Sequence, residues 1–410
     1  MIEMHKIRQR FNDTSIADPA AATLAALQSG HIPVASGARI ALAVGSRGIH
    51  AIDRIVRSVI DFLQSCGARP FIIPAMGSHG GATPEGQRDL LAGYGITEAT
   101  MGVPLDAAMD VDRLDAPGCD CAVYMSRSAL HADGVIIINR IKPHTDYHDR
   151  YESGLVKMSV IGLGKHAEAL EIHKYGVRGL KELLPAAAER IFATGKIIAG
   201  VAIVENRLDR PVHIEVLSGT SIMQEEPRLL KLAAENMPRL PIENIDVLIV
   251  DQIGKDFSGT GLDTNVIGRM RIRGEPEPVS PSIKSIYVRD LSERSHGNAL
   301  GIGMAEVISR RLFGKIDFAV MYENSFTSTF LERVKVPVIA ESDAEAVAFA
   351  LRSCGNIPAG TERIVRIKNT LQLDEMYVSD PVLHEVSGRN TIETVALPVA
   401  LLNGPELCGF

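Results

Sequence analysis

"RIALAVGSRGIHAIDRIVRSVIDFLQSCG", from Arg39 to Gly67, contains one full structural cycle. Residues 39–46 form an apolar run of strand length and read as a buried strand. A Gly-Ser-Arg-Gly loop follows. Ile52, Ile55, Val56, Val59, Ile60 and Leu63 then recur at helical spacing, so residues 51–67 read as a helix with one apolar face. Gly67 is placed to stop it.

The cycle repeats on either side. "PFIIPAMGSHGG" (70–81) is a second strand running into a glycine-rich loop. "TPEGQRDLLAGYG" (83–95) opens a helix, with Thr83 as N-cap, Pro84 in the first turn and Gln87 a further turn on. "GVIIINR" (134–140) and "KIIAGVAIVENR" (196–207) are further buried strands. Strand, loop, helix and strand in this order predict an α/β fold with a mostly parallel sheet covered by helices. Two prolines in "ENMPRLPIENI" (235–245) interrupt the pattern, and "DVLIVDQIG" (246–254) starts it again. The second half has a glycine-rich "GKDFSGTGLDTN" (254–265). There "NALGIGMAEVISRRLFG" (298–314) reads as a helix, and "KIDFAVMY" (315–322) and "VPVIAE" (336–341) read as strands. The apolar tail, 393–410, packs back on one domain or the other. The expectation is two α/β domains, residues 1–240 and 241–410, each a mostly parallel sheet with flanking helices, and a cleft between them.

The composition fits this size. The chain has 410 residues, 46% apolar and 23% charged, which is more than one core usually holds. Net charge is -7 and no basic run marks a nucleic-acid or membrane surface. The polar start and the lack of a span-length apolar segment point to the cytoplasm. The five cysteines are an odd, scattered set that fits neither a disulfide framework nor a zinc ribbon. "CDC" at 119–121 is too tight for a structural zinc site, so the cysteines read as reduced, mostly buried thiols.

Ligands of open parallel sheets bind beyond the carboxyl ends of the strands. Three strands deliver reactive residues there: Arg47 in "VGSRGIH", His79 in "AMGSHGG", and Arg140, Lys142 and His144 in "NRIKPHTDYH". An arginine fork suits a carboxylate, and imidazoles suit proton transfer near neutrality. The segment Lys142–His173 carries His144, His148, His166 and His173, four of the chain's twelve histidines. Lys157 sits near its middle in "SGLVKMSVIGLG", flanked by Leu155, Val156, Met158 and Val160. Desolvation there would lower its pKa and make it nucleophilic. A lysine lying along an apolar surface with its amine in water, and a histidine on a helix surface, account for the same spacing.

Taken together, the order and spacing of Arg47, His79, Pro143–His144, Ser153–Lys157 and His173 resemble the nickel-dependent lactate racemase family, which includes racemases and epimerases of other 2-hydroxy acids. The likeness covers residues 38–210 and is weaker beyond. It implies an N-terminal cofactor-binding and catalytic domain and a C-terminal domain that closes the cleft. It also implies a nickel-pincer nucleotide attached covalently through Lys157, with Ser153 and Gly154 as cofactor-binding neighbours and His173 as the nickel ligand. Arg47 would bind the substrate carboxylate, and His79 and His144 would be the two bases. Cofactor maturation enzymes and a small 2-hydroxy acid are the implied partners.

Two departures stand out. The gap between "PH" and "SG" is longer than in the lactate enzymes, so His148 competes with His144. In "GTGLDTNVIGRMR" the family's glycine-rich pattern is matched by Gly261, Asp263 and Asn265, but its Gln falls on Gly268 and its Lys on Arg271. These changes argue against lactate, and Arg271, with Arg269 and Arg273 nearby, hints at a second acidic or polyhydroxy group on the substrate. Two other readings stay open: a metal-dependent hydrolase or lyase with zinc on His79, His144 and His173, and a non-catalytic binder of the cofactor or of small acids.

Overall fold

The computed structural model describes residues 2–410, apart from the side chain of Thr327. The chain divides into two compact units: Asn12–Met237, and a second made of the N-terminal residues to Phe11 together with Pro238–Phe410.

The first unit is built on a five-stranded sheet in the order Arg69–Pro74, Arg39–Val44, Gly134–Arg140, Ile197–Glu205, Pro211–Ser218. The first four strands are parallel and the last forms an antiparallel pair with Ile197–Glu205. Leu42 is in register with Ile72 on one side and Ile136 on the other. The helix Ile52–Ser65 lies on this sheet through the apolar stripe anticipated from its spacing, and all six of those residues are buried. At about 1.5–3 kcal/mol per fully buried aliphatic side chain, that face outweighs the helix's own weak propensity terms. Thr83 caps the helix Pro84–Gly93 by accepting from Gly86 N–H at 3.1 Å.

The second unit carries a nine-stranded sheet. Its parallel part runs Val338–Ala340, Val307–Ser309, Ser282–Leu291, Asn244–Ile253, Ile364–Ile367. Glu375–Ser379, Glu3–Gln9 and Ile392–Thr394 then extend it antiparallel, and Val399–Ala400 also pairs with Glu3–Gln9. The mixed α/β architecture, largely parallel and flanked by helices, is the expected one. No helix among the described residues is long and apolar enough to cross a membrane.

Three local expectations are corrected. Residues 3–9 were grouped with the first domain but pair into the sheet of the second unit, where Met4 and Ile7 are fully buried. Residues 298–314 are not one helix: a short 3-10 turn at Ile302–Met304 leads into the strand Val307–Ser309 and a single helical turn, Arg310–Phe313. Gly301 at φ 103° breaks the helix, and Val307 and Ile308 find pairing partners beside Ser282–Leu291. "KIDFAVMY" is not a strand, because the Asp317 side chain accepts from Val320 N–H at 3.1 Å and starts the helix Phe318–Ser328. The glycine-broken "SGLVKMSVIGLG" is helical: a turn at Leu155–Lys157 passes into a π-helical turn, Met158–Gly162.

Candidate functional site

All four parallel strands of the first unit end on one edge. The chain leaves Arg39–Val44 toward Arg69–Pro74 on one side and later continues on the other with Gly134–Arg140. The gap above these strands is the switch point at which open sheets bind ligands. The Arg47 and His144 loops flank it, and the His79 loop follows the next strand.

The helical segment 154–162 packs beneath these loops. Asn139, near the end of its strand, donates from Nδ2 to Gly154 O at 3.0 Å. A Cβ on Gly45 would lie 2.6 Å from the Met158 methyl, and one on Gly77, at φ 58°, would lie 3.2 Å from Ile161 O. A side chain at Gly77 would press on the Ile161 backbone, and one at Gly45 would displace the Met158 methyl. Buried Gln87 then ties the His79 loop down, donating to Gly77 O at 3.1 Å and His79 O at 3.2 Å.

Lys157 is half-buried, and its Nζ lies 2.5 Å from His144 Nε2. Burial, opposed by the Asp146 carboxylate and reinforced by Arg47, lowers its pKa to about 8. His79 is also lowered, by desolvation first and then by Arg47 and Lys157. His173, at the end of the helix Lys165–His173, is lowered by desolvation and by Lys157, against a weaker opposing pull from Asp146. Arg47, His79, Lys157 and His173 thus share one electrostatic neighbourhood, and both histidines are held toward the neutral form that binds metals and accepts protons.

Arg140 and Arg47 differ in availability. Arg140 pairs with Glu205 at 2.9 Å, and Glu205 also accepts from His50 N–H. Arg47 is exposed and has no carboxylate partner among the described residues, although desolvation and the nearby Arg140 lower its pKa. Its guanidinium is therefore the one open to a ligand carboxylate. His144, not His148, meets Lys157: His148 is exposed and faces Glu152 at 3.2 Å. Glu152 also accepts from His144 N–H at 2.5 Å, so one buried carboxylate holds both halves of the segment. His166 is exposed on its helix.

Several contributors gave no sequence signal. Ser46 Oγ bonds His79 Nδ1, and the Ser46 carbonyl accepts from the Tyr94 hydroxyl at 2.5 Å. Glu226, fully buried and far along the chain, accepts from Val156 N–H at 2.9 Å at the start of the Lys157 helix. A Cβ on Gly154 would come within 2.3 Å of that carboxylate, so the glycine of "SGLVK" is required by packing. Ser153 exchanges backbone hydrogen bonds with Lys142.

In the second unit, Arg269 is buried and bonds Glu306, Met304 O and Ile283 O. Arg271, at φ 48°, shares Glu306 at 3.1 Å. Two of the three arginines thus share one carboxylate, Glu306, within their own unit. The zinc reading also loses its geometry. His79, His144 and His173 do not bring three ring nitrogens within 4.8 Å of one another; among the described residues that closeness is met by Glu3, His5 and Asp380 in the other unit.

No protein-family model and no curated protein matches the chain. A fold of this kind is seen in the lactate racemase apoprotein from Thermoanaerobacterium thermosaccharolyticum, which is 10% identical in sequence, with a TM-score of 0.53. The match covers 86% of this chain and 96% of that one. At this identity the likeness is one of fold.

Proposed function

We propose that the protein is a racemase or epimerase of a 2-hydroxy acid that works with a nickel-pincer nucleotide held covalently through Lys157 and ligated by His173. The observation that carries this reading is the Lys157 amine, lowered to about 8, against His144 and in the electrostatic field of Arg47. Such a lysine is partly neutral at cellular pH and therefore nucleophilic. His173 has no partner among the described residues and is held toward neutrality, as a ligand must be. Ser153 and Gly154 serve this arrangement as the backbone that opens the Lys157 helix.

Held through Lys157 and His173, the cofactor would supply a hydride acceptor for the substrate's α-carbon. The remaining work falls to the chain. Arg47 grips the carboxylate through paired hydrogen bonds while the centre inverts. Hydride leaves readily only if the hydroxyl proton leaves with it. Neutral His79 takes that proton at Nε2, because Ser46 engages Nδ1, and His144 serves the enantiomer whose hydroxyl points the other way. Each such base contributes about 10²–10⁴-fold in rate.

Gly268 in place of the family's glutamine still disfavours lactate as substrate. Arg271 would meet the substrate as half of an ion pair with Glu306, which weakens the case for a second acidic group.

The test is intact mass and nickel content of protein co-expressed with cofactor-making enzymes, the expected maturation partners, beside Lys157→Ala. A nucleotide-sized gain with one nickel, absent from the variant, followed by loss of optical activity in a 2-hydroxy acid, supports the reading. An unmodified, nickel-free chain under conditions that load a lactate racemase overturns it. A loaded chain that racemises no hydroxy acid makes it a binder.

A further inference from the structure

Cys119 and Cys121 lie in the loop before the strand Val123–Ser126, within the first unit. Both are free thiols, and their sulfurs are 3.3 Å apart. The loop lines a pocket of about 400 Å³ that both cysteines share with Arg113, Asp115 and Pro117. A disulfide needs the sulfurs at about 2.05 Å, so a small local movement would close the bond. Cys119 is half-buried on the accessible side, whereas Cys121 is buried. Burial, its hydrogen bond with Cys119 and the carboxylates Glu168 and Glu171 push the Cys121 thiol up to about 12.

The same loop is fastened to the helical segment that carries His173. Ala122 N–H donates to Glu171 at 3.1 Å and Tyr124 N–H to Glu168 at 2.7 Å. Asp120, the residue between the two cysteines, pairs with Arg178 at 3.0 Å, and its carbonyl accepts from the Tyr175 hydroxyl at 3.4 Å. Asp120 would therefore sit inside the ring that a Cys119–Cys121 bond creates. Closing that ring constrains the Asp120 backbone, whose carbonyl receives the Tyr175 hydroxyl and whose side chain meets Arg178.

We propose that Cys119 and Cys121 form a redox-active dithiol that is oxidised by low-molecular-weight disulfides, and that its closure loosens the 173–178 segment. The exchange balances without another reagent. The Cys119 thiolate attacks one sulfur of RSSR, forms a mixed disulfide and expels RS⁻. With Cys119 held as the mixed disulfide, Cys121 gives up its proton as its sulfur attacks Cys119 Sγ, forms the intramolecular disulfide and expels a second RS⁻. The two released thiolates take up the protons the cysteines gave, so one dithiol and one RSSR yield one disulfide and two RSH. The site stands apart from the proposed catalysis and does not require His173 to bind nickel.

The test uses the full chain, incubated with oxidised or reduced glutathione and then alkylated with N-ethylmaleimide. The expected result is two fewer labels on the oxidised protein, with the loss mapped to the peptide bearing both cysteines. Cys121→Ser should stop at a glutathione adduct on Cys119, while Cys66→Ser should behave as the parent. Amides at 173–178 should exchange about tenfold faster in the oxidised parent, but not in oxidised Cys121→Ser. Full labelling after oxidation, or a disulfide that uses Cys66, Cys354 or Cys408, overturns the dithiol. A closed disulfide with unchanged exchange overturns its link to the helix.

Discussion

At the residue scale, Lys157 is where chemistry and burial meet. Its ammonium loses hydration between the strand ends and faces Arg47, and the Asp146 and Glu152 carboxylates repay only part of that loss. The charged form is disfavoured, so the neutral amine becomes half-populated at about 8 rather than near the ordinary lysine value of about 10.4. Because the neutral amine is the nucleophile, its acylation by a limiting amine-specific reagent should rise with pH and reach its midpoint near pH 8. Peptide mapping at several pH values measures this against exposed lysines such as Lys174. A midpoint above 10 would show Lys157 to be an ordinary solvated amine. The lysine, its apolar flanks and its spacing to His173 are legible in sequence. Glu152 and Ser46 are not, because short polar residues in loops are common and only their partners give them meaning.

At the element scale, the turn that presents Lys157 depends on Glu226, a carboxyl held without water. Burial raises Glu226 to about 7, against the hydrogen bonds from Val156 and Leu155 N–H. A carboxyl whose folded pKa is raised stabilises the fold fully below its unfolded value of 4.5 and loses that contribution as pH climbs through about 7. A difference of this size corresponds to roughly 3 kcal/mol. Glu226→Gln keeps the shape and cannot ionise. It should match the parent near pH 4.5 and be the more stable protein at pH 8 in urea titrations followed at both pH values. Equal stability at both would mean that Glu226 reaches water. Gly154→Ala, which drives a methyl into this carboxylate, should cost about 1–3 kcal/mol at either pH. The helix spacing of 52–65 was plain from its apolar stripe. The helix Phe318–Ser328 was missed because its apolar residues also suit a strand, and Asp317 decided the matter as a cap.

At the scale of the whole molecule, the chain order and the two units do not coincide. The N-terminal strand completes the sheet of the second unit, between Glu375–Ser379 and Ile392–Thr394. Removing residues 1–11 would expose two antiparallel edges and forfeit the burial of Met4 and Ile7, worth about 1.5–3 kcal/mol each. Limited proteolysis of that truncation should cut within 238–410 first and leave 12–237 protected. An unchanged digestion pattern would show that the strand contributes little.

The sequence by itself determined the α/β class, the strand-loop-helix cycles of the first unit and the candidates Arg47, His79, His144, Lys157 and His173. The class and the cycles are written in local pattern: apolar runs of strand length, a 3.6-residue repeat, a cap, a glycine after a strand; the five candidates stand on their order along the chain, which resembles that of the lactate racemase family. The tertiary structure alone decided which carboxylate answers which cation. Arg140 is taken by Glu205 and Arg271 by Glu306, while Arg47 is left open. It also placed the first strand in the last sheet, set Glu226 under Gly154 and bound the cysteine loop to the His173 helix. These are contacts between residues far apart in the chain. Their energy comes from burial and pairing, and no local pattern encodes which partner burial will bring.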